Sequence, residues 1–417
     1  MSASGTKTVA VIGAGIVGVS TGLWLQRAGH EVILIDRAGP GEGTSYGNAG
    51  VLASSSILPV TLPGLIAKAP GMLLDPESPL FLRWSYLPRM LPWLARYLSH
   101  CRPGEVRRIA RALVPVIGDS LEQHQALAEG TPAAKWIRPS EFLYVYADRA
   151  AYEAEAFTWD QRREHGFAFE ELEAKALRAY EPVLGPNAGF GVRMPHHGII
   201  ADPGRYVKDL AAHLEAQGGR VAVAQVRDIS RANGRVTGVE TDTGTLACDA
   251  AVIAAGAWSG PLARRLGLGV PMESERGYHL ELYGTNQAPR VPTAIAAGKF
   301  VATPMQGRVR LAGIVEFGGL ETPPSRKPFR VLLGDIKRAM PGLTWTETRE
   351  WMGHRPAPSD SIPLIGEVPG ARGAYLGFGH HHVGLTGGPK TGRILAGLIS
   401  GQPPNLDLAP YRPERFS

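Results

Sequence analysis

Only two cysteines, Cys101 and Cys248, occur in 417 residues, and they are far apart. They offer neither a disulfide framework nor thiolate spacing for zinc, which makes a reducing cytoplasm the simplest expected home. No apolar run approaches the ~20 residues of a membrane span. The opening MSASGTKTV passes from a few polar residues straight into the first expected strand, leaving no room for a signal peptide's apolar core. Internal repeats and low-complexity tracts are lacking, which sets aside solenoids and disordered chains. The formal charge is only +6 and unclustered along most of the chain, a basic surface rather than a nucleic-acid footprint.

Glycine, by contrast, is plentiful at 52 residues, which suits backbone that repeatedly approaches a ligand. The length makes two domains the natural expectation. The organising stretch is 8–50, TVAVIGAGIVGVSTGLWLQRAGHEVILIDRAGPGEGTSYGNAG. Its run Val9-Ala10-Val11-Ile12 suits a strand buried on both faces of a parallel sheet. Gly13 then permits a tight turn, Gly15 lets backbone approach a pyrophosphate, and Gly18 lets the following helix pack close to the strand. A second strand over 32–35 ends on Asp36, where a carboxylate would accept hydrogen bonds from a ribose diol. A second small-residue loop, GTSYGNAG at 43–50, fits the longer FAD better than NAD.

With that loop the chain resembles the FAD-dependent D-amino acid oxidase and dehydrogenase superfamily, which includes glycine oxidase, sarcosine oxidase and bacterial D-amino acid dehydrogenases. SYGNAG is most similar to the dehydrogenases. Later segments carry the same likeness: AAGAWS at 254–259, WMGHRPAPSDSIPLIG at 351–366 and GFGHHHVGLTGGPKTGRILAGLISG at 377–401. The likeness is weakest over 57–185. It implies an α/β fold: a Rossmann-like FAD-binding domain of the glutathione-reductase type with a discontinuous β-rich substrate domain carrying helical insertions. The cofactor domain is expected over 1–60, 186–268 and 350–417, and the substrate domain over 61–185 and 269–349.

The resemblance also implies cofactor contacts at Gly13, Gly15, Ile16, Val17, Gly18, Asp36 and Arg37, in the loop at Thr44, Ser45, Asn48, Ala49 and Gly50, and at Val226 beside the adenine. Ala255, Gly256 and Trp258 follow, then His380, Gly384, Leu385 and Thr386 around the flavin ring. Cys101 and Cys248 match no covalent attachment position and the early loop offers Tyr46, so FAD is expected to be non-covalent. Arg355, in the G-x-R-P motif, is the expected substrate clamp, because a guanidinium grips a carboxylate with two hydrogen bonds and stays charged. The alternative is an Arg paired with Asp360. Tyr278 is expected to add a hydrogen bond to the carboxylate, and His279 and His382 to reach the pocket. Three adjacent histidines project in different directions, so no metal site is expected.

Elsewhere the patterns predict a strand over 141–148, helices over 150–164 and 170–181, and a helix capped by Asp202 that ends at Gly218-Gly219. A strand over 221–226 and a hairpin with strands 236–241 and 245–248 follow, then a buried strand over 250–254, a mainly β stretch, a helix over 328–340 and a last helix over 389–400. Pro59, Pro63 and Pro70 are expected to break any long helix. Between 83 and 111, seven arginines face one acid, Glu105, and alternate with Trp84, Tyr86, Trp93 and Tyr97. These read either as ordinary helices with aromatics inside, or as an interfacial segment on an anionic bilayer that admits a quinone.

The function expected is oxidation of a D-amino acid to the 2-oxo acid and ammonia by hydride transfer to flavin, with electrons passing to a quinone or another acceptor. Alternatives are a secondary amino acid substrate such as a proline or hydroxyproline isomer or sarcosine, an NADPH-dependent hydroxylase, and a non-catalytic FAD subunit.

Overall fold

A computed structural model describes residues 5–74, 80–402 and 404–416. The first four residues and 75–79 of the Leu- and Pro-rich stretch therefore lie outside the described residues. Two large sheets organise the chain. The first has six strands, in the order Leu364–Glu367, Ala374–Phe378, Ala250–Ile253, Thr8–Ile12, Glu31–Asp36 and Arg220–Val223. All neighbours are parallel except the outer pair Leu364–Glu367 and Ala374–Phe378. Val9, Ala10 and Val11 are fully buried, as expected of a central strand covered on both faces.

On one side the helices Ile16–Arg27 and Gly384–Ile399 pack together so closely that a Cβ on Gly392 would lie 2.6 Å from the Thr21 nitrogen. A third helix, Pro203–Ala216, starts where the Asp202 side chain accepts from the Arg205 N–H.

The second sheet has ten strands. Its main path runs Glu347–Pro358, Met272–Tyr283, Arg308–Phe317, Phe300–Met305, Thr293–Ile295, Ile137–Tyr146, Phe190–Ile200 and Val51–Leu52. Leu80–Leu82 and Glu170–Glu173 add to its sides. The strand Phe190–Ile200 falls beyond the boundary expected at 186, and Glu347–Pro358 straddles the one expected at 350. Three further strands, Val226–Ala232, Arg235–Thr241 and Gly244–Ala247, form a small sheet.

Several expected elements differ, and the helix expected over 150–164 is two, Arg149–Glu153 and Ala156–Glu164. The helix expected over 170–181 is a strand, Glu170–Glu173, followed by a helix, Ala174–Tyr180. Pairing with Phe190–Ile200 buries Leu172 and leaves its glutamates exposed, so an available sheet edge overrides helix propensity. The strand expected over 221–226 splits, with Arg220–Val223 in the first sheet and Val226–Ala232 in the small one. The last helix starts at Gly384, placing Pro389 inside it rather than at its start. Proline has no N–H for the Leu385 carbonyl four residues back, and His124 Nε2 takes that place at 2.8 Å, while its Nδ1 accepts from the Tyr206 hydroxyl. Pro70 likewise lies within a helix, Leu65–Leu74.

Over 83–111 the chain forms the helices Leu87–Ser99 and Pro103–Ile117. Trp93 and Tyr97 are buried against Phe317, and Trp93 Nε1 donates to the Ala357 carbonyl. Trp84 and Leu91 stay exposed. No helix among the described residues is long and apolar enough to cross a membrane.

Candidate active site

A cavity of about 790 Å³ lies between the carboxyl ends of the parallel strands and one face of the ten-stranded sheet. Ligands in open α/β sheets bind at such strand ends.

At one end backbone dominates. Gly13 has φ +107°, and a Cβ there would lie 2.4 Å from the Ala254 carbonyl oxygen. Gly18 does not line the cavity; its missing Cβ would sit 1.8 Å from the Gly13 oxygen, so it serves helix packing alone. Gly50, at φ +76°, is also off the wall, where the Ile200 carbonyl leaves no space for a side chain. Asp36 accepts from the N–H groups of Ala14, Ala38 and Gly39. Ser45 Oγ accepts from Ile16 N–H, Asn48 Oδ1 from Gly50 N–H, and Thr44 Oγ1 donates to the His354 carbonyl. The Arg37 guanidinium lies 3.8 Å over the Trp258 ring. Gly15, Ile16, Val17, Ala49, Val226, Ala255 and Gly256 complete the expected wall.

Two helix starts open on this cavity. Neither Gly15 nor Val383, the cap residues, supplies a side-chain acceptor, so apart from the Ile16 N–H, which donates to Ser45 Oγ, the first-turn N–H groups keep their donors. Gly15, Ile16 and Val17 line the wall from one helix, and Gly384, Leu385 and Thr386 from the other. Together with the turn that excludes a Cβ, these donors fit a long dianionic dinucleotide such as FAD.

The other end belongs to the ten-stranded sheet. Arg355 crosses over Gly277, where a Cβ would lie 2.5 Å from its guanidinium carbon. Its NH1 donates to Glu275 Oε1 at 2.6 Å and its NH2 to the Gly313 carbonyl at 2.9 Å. Asp360 pairs instead with Arg415, so the alternative Arg355–Asp360 pair is not formed. The second Glu275 oxygen lies 2.6 Å from His381 Nε2. Burial alone would raise the Glu275 carboxyl, but His381 and the Arg355 guanidinium reverse that and hold it well below the usual carboxylate range. Sequence reasoning missed both Glu275 and His381. The one local signal is that His381 is a non-glycine residue at φ +50°, which no sequence pattern reveals.

Tyr278 is among the residues lining the cavity, but its hydroxyl is engaged away from it. Its hydroxyl donates to Glu316 Oε2 and accepts from Ser325 N–H, and its ring meets Phe329 in the core behind the sheet. Strand alternation explains this: with Gly277 facing the cavity, the Tyr278 hydroxyl faces away. His279 points to the cavity side but lies off its wall, stacked on Trp351 with Nδ1 3.0 Å from the Gly47 carbonyl oxygen. Burial, then Arg310, push it down to about 3, so it is a neutral packing group. Trp351 lies flat across Gly47 and Gly353, whose Cβ positions would fall 1.8 and 2.0 Å from its ring.

His382 does line the cavity. Burial and neighbouring His381 push it down to about 3, and its Nδ1 is buried without a hydrogen-bond partner. Such an orphaned atom in a cavity wall awaits a ligand. His380 also lines it, and its Nε2 lies 2.8 Å from Thr391 Oγ1, tying the loop to the last helix. Among the described residues no cluster of His, Cys, Asp or Glu could hold a metal ion.

The chain is similar over nearly its whole length to proteins of one kind. It is 39% identical to a D-amino-acid oxidase of Bradyrhizobium diazoefficiens, covering 98% of this chain and 99% of that one. It is 30% identical to a D-amino acid dehydrogenase of Paramagnetospirillum magneticum, with the same coverage. The crystal structure of glycine oxidase from Geobacillus kaustophilus superposes with a TM-score of 0.73 at 21% identity, covering 98% of each chain, a likeness of fold. The profile described as FAD dependent oxidoreductase matches residues 8–398. The chain belongs to this family of FAD-dependent oxidoreductases.

Proposed function

We propose that the protein oxidatively deaminates a D-amino acid, with Arg355 holding the substrate carboxylate. The observation that carries this reading is the Arg355–Glu275–His381 arrangement at the sheet end of the cavity. Two donors of the guanidinium are fixed by Glu275 and Gly313, and those that remain make no hydrogen bond among the described residues. Held rigid, they can fork onto a carboxylate without further ordering.

The names of the relatives support the D-configuration. FAD supplies the acceptor for the two electrons and the hydrogen leaving Cα, and the resulting imine hydrolyses to the 2-oxo acid and ammonia. The protein's own part is positioning. Arg355 fixes the carboxylate, Glu275 and His381 fix Arg355, and the neutral His382 faces the reacting region without adding charge. No carboxylate dyad is needed, since the amine has only to lose a proton.

Anaerobic mixing of the yellow protein with D- and L-amino acids, proline and hydroxyproline isomers and sarcosine, followed by flavin absorbance, tests this. Bleaching by D-amino acids is expected. Bleaching only by secondary amino acids redirects the substrate, and bleaching only by NADPH overturns the reading in favour of a hydroxylase.

We assign the electron acceptor to a quinone reached from an anionic membrane surface. Trp84 and Leu91 are 61% and 52% exposed beside exposed Arg89 and Arg96, a composition suited to an interface. Failure to co-sediment with anionic vesicles at low salt would remove that assignment. Sheet membership favours a substrate domain that takes in strands Phe190–Ile200 and Glu347–Pro358.

A further inference from the structure

We infer that the amino acid taken at this site carries a bulky apolar side chain. The inference rests on the reading that Arg355 holds the carboxylate, and deepens it to a substrate class.

The ten-stranded sheet presents one lateral row to the cavity. Trp351 pairs with His279, His279 with Ala312, Ala312 with Val301, Val301 with Ala294, and Ala294 with Tyr144. Residues paired across neighbouring strands place their side chains on the same face. His279 is covered by the Gly47 loop, and the others line the cavity.

Arg355 donates to the Gly313 carbonyl, next to Ala312 in the same strand. From that strand Val301, Ala294 and Tyr144 are one, two and three strands away, roughly 5, 10 and 14 Å. The floor running out from the guanidinium is therefore small and aliphatic, and it ends on an aromatic wall. There Tyr144 lies 4.7 Å from Phe142, ring centre to ring centre, with Trp159 edge-on behind it.

Along this path Arg355 is the one permanently charged side chain in the wall. The other charged groups lining the cavity sit at the nucleotide end: Asp36 is held by backbone N–H groups, Arg37 lies over Trp258, Glu42 pairs with Lys208 and Arg265 with Asp228, and Arg227 is exposed beside the Val226 wall. A carboxylate or ammonium on the substrate side chain would leave water without a partner. An aromatic or branched aliphatic group instead gains contact with Ala312, Val301 and Ala294 and reaches towards the rings.

One group could reverse this. Arg162 is buried behind Tyr144, donates only to the Ser55 carbonyl and the Tyr144 hydroxyl, and forms no ion pair among the described residues. It lies off the cavity wall, with its guanidinium carbon 5.0 Å from the Tyr144 ring centre. A side-chain carboxylate would reach it only by displacing Tyr144.

The test compares anaerobic flavin reduction by D-phenylalanine, D-leucine, D-alanine, D-aspartate, D-glutamate and D-lysine in wild type and in Ala294→Leu. A parallel thermal-shift measurement uses the unreactive acids 3-phenylpropanoate and succinate. The expected result is a preference of about 100-fold or more for phenylalanine and leucine over the charged substrates, as expected for leaving a buried charge unpaired. Ala294→Leu should cut the phenylalanine rate about tenfold and the alanine rate by a smaller factor, and 3-phenylpropanoate alone should raise Tm. Faster reduction by aspartate, glutamate or lysine overturns the inference and leaves the carboxylate clamp standing; loss of an acidic preference in Arg162→Gln would then name the recipient. Silence from every amino acid, with no Tm shift by either acid, overturns the clamp reading itself.

Discussion

The two ends of the cavity solve different problems with different materials. The nucleotide end is built from backbone: glycines that make room, helix starts that present N–H groups, and Asp36 holding the turn. The sheet end is built from side chains, with Arg355, Glu275 and His381 brought together from three segments. A backbone site rests largely on one βαβ unit, with Ala254 and the start of the last helix closing it, and its failure should empty the whole cavity. A side-chain site is a property of the sheet's register, so its parts should fail separately while FAD stays bound.

The sharpest way to break this contrast is at Gly13. Gly13→Val meets the Ala254 carbonyl and demands a positive φ from a β-branched residue. The expected product is colourless or insoluble protein, read from the ratio of flavin to protein absorbance. A fully flavinylated variant would refute the backbone account.

Arg355→Ala should lower kcat/KM for D-amino acids on the order of 100-fold or more, taking two charge-assisted hydrogen bonds at about 1.5–3 kcal/mol each. Flavin content should not change. Smaller again is Glu275→Gln, which keeps the shape but removes the charge that fixes Arg355 and His381. We expect a KM increase of about tenfold with FAD retained, together with a lower Tm because a buried ion pair is broken. An unchanged KM would show that Glu275 is structural only.

The smallest effect is on pH dependence, and it tests both ends at once. His124 and His380, which hold the last helix, are each pushed by burial down to about 4. A folded pKa below the unfolded value means that the stability is complete above about 6.5 and lost as pH falls towards 4. Glu281 contributes a second window. Burial opposes its charge, but Arg310 and Arg308 bring it down to about 2, so its stability is present above about 4.5 and lost below. Tm should therefore decline gradually from pH 7 to 5 and more steeply below 4.5. A Tm that rises on acidification would contradict these assignments.

The same contrast decides what could be read from sequence. Gly13, Gly15, Asp36 and the 43–50 loop were legible because their chemistry is set by spacing along one βαβ unit. Arg355 was legible through its motif. Its partner Glu275 was not, because 80 residues separate them and only the pairing of Glu347–Pro358 with Met272–Tyr283 brings them together. Tyr278 lines the cavity, yet one step of strand parity beyond Gly277 turns its hydroxyl to Glu316, which sequence spacing does not reveal. The last helix began five residues early because a buried histidine replaced the N–H that Pro389 lacks, a tertiary bond that no local rule foresees.

The most direct test of the account is whether Arg355 reads a carboxylate. Anaerobic reduction rates would be measured for wild type and Arg355→Ala, each loaded with FAD, using D-phenylalanine and the matching amine that lacks the carboxyl group, 2-phenylethylamine. The account predicts that wild type prefers the amino acid strongly and that the variant loses most of that preference while keeping its flavin. A variant that still prefers D-phenylalanine by the same factor would place the carboxylate elsewhere and contradict the central claim.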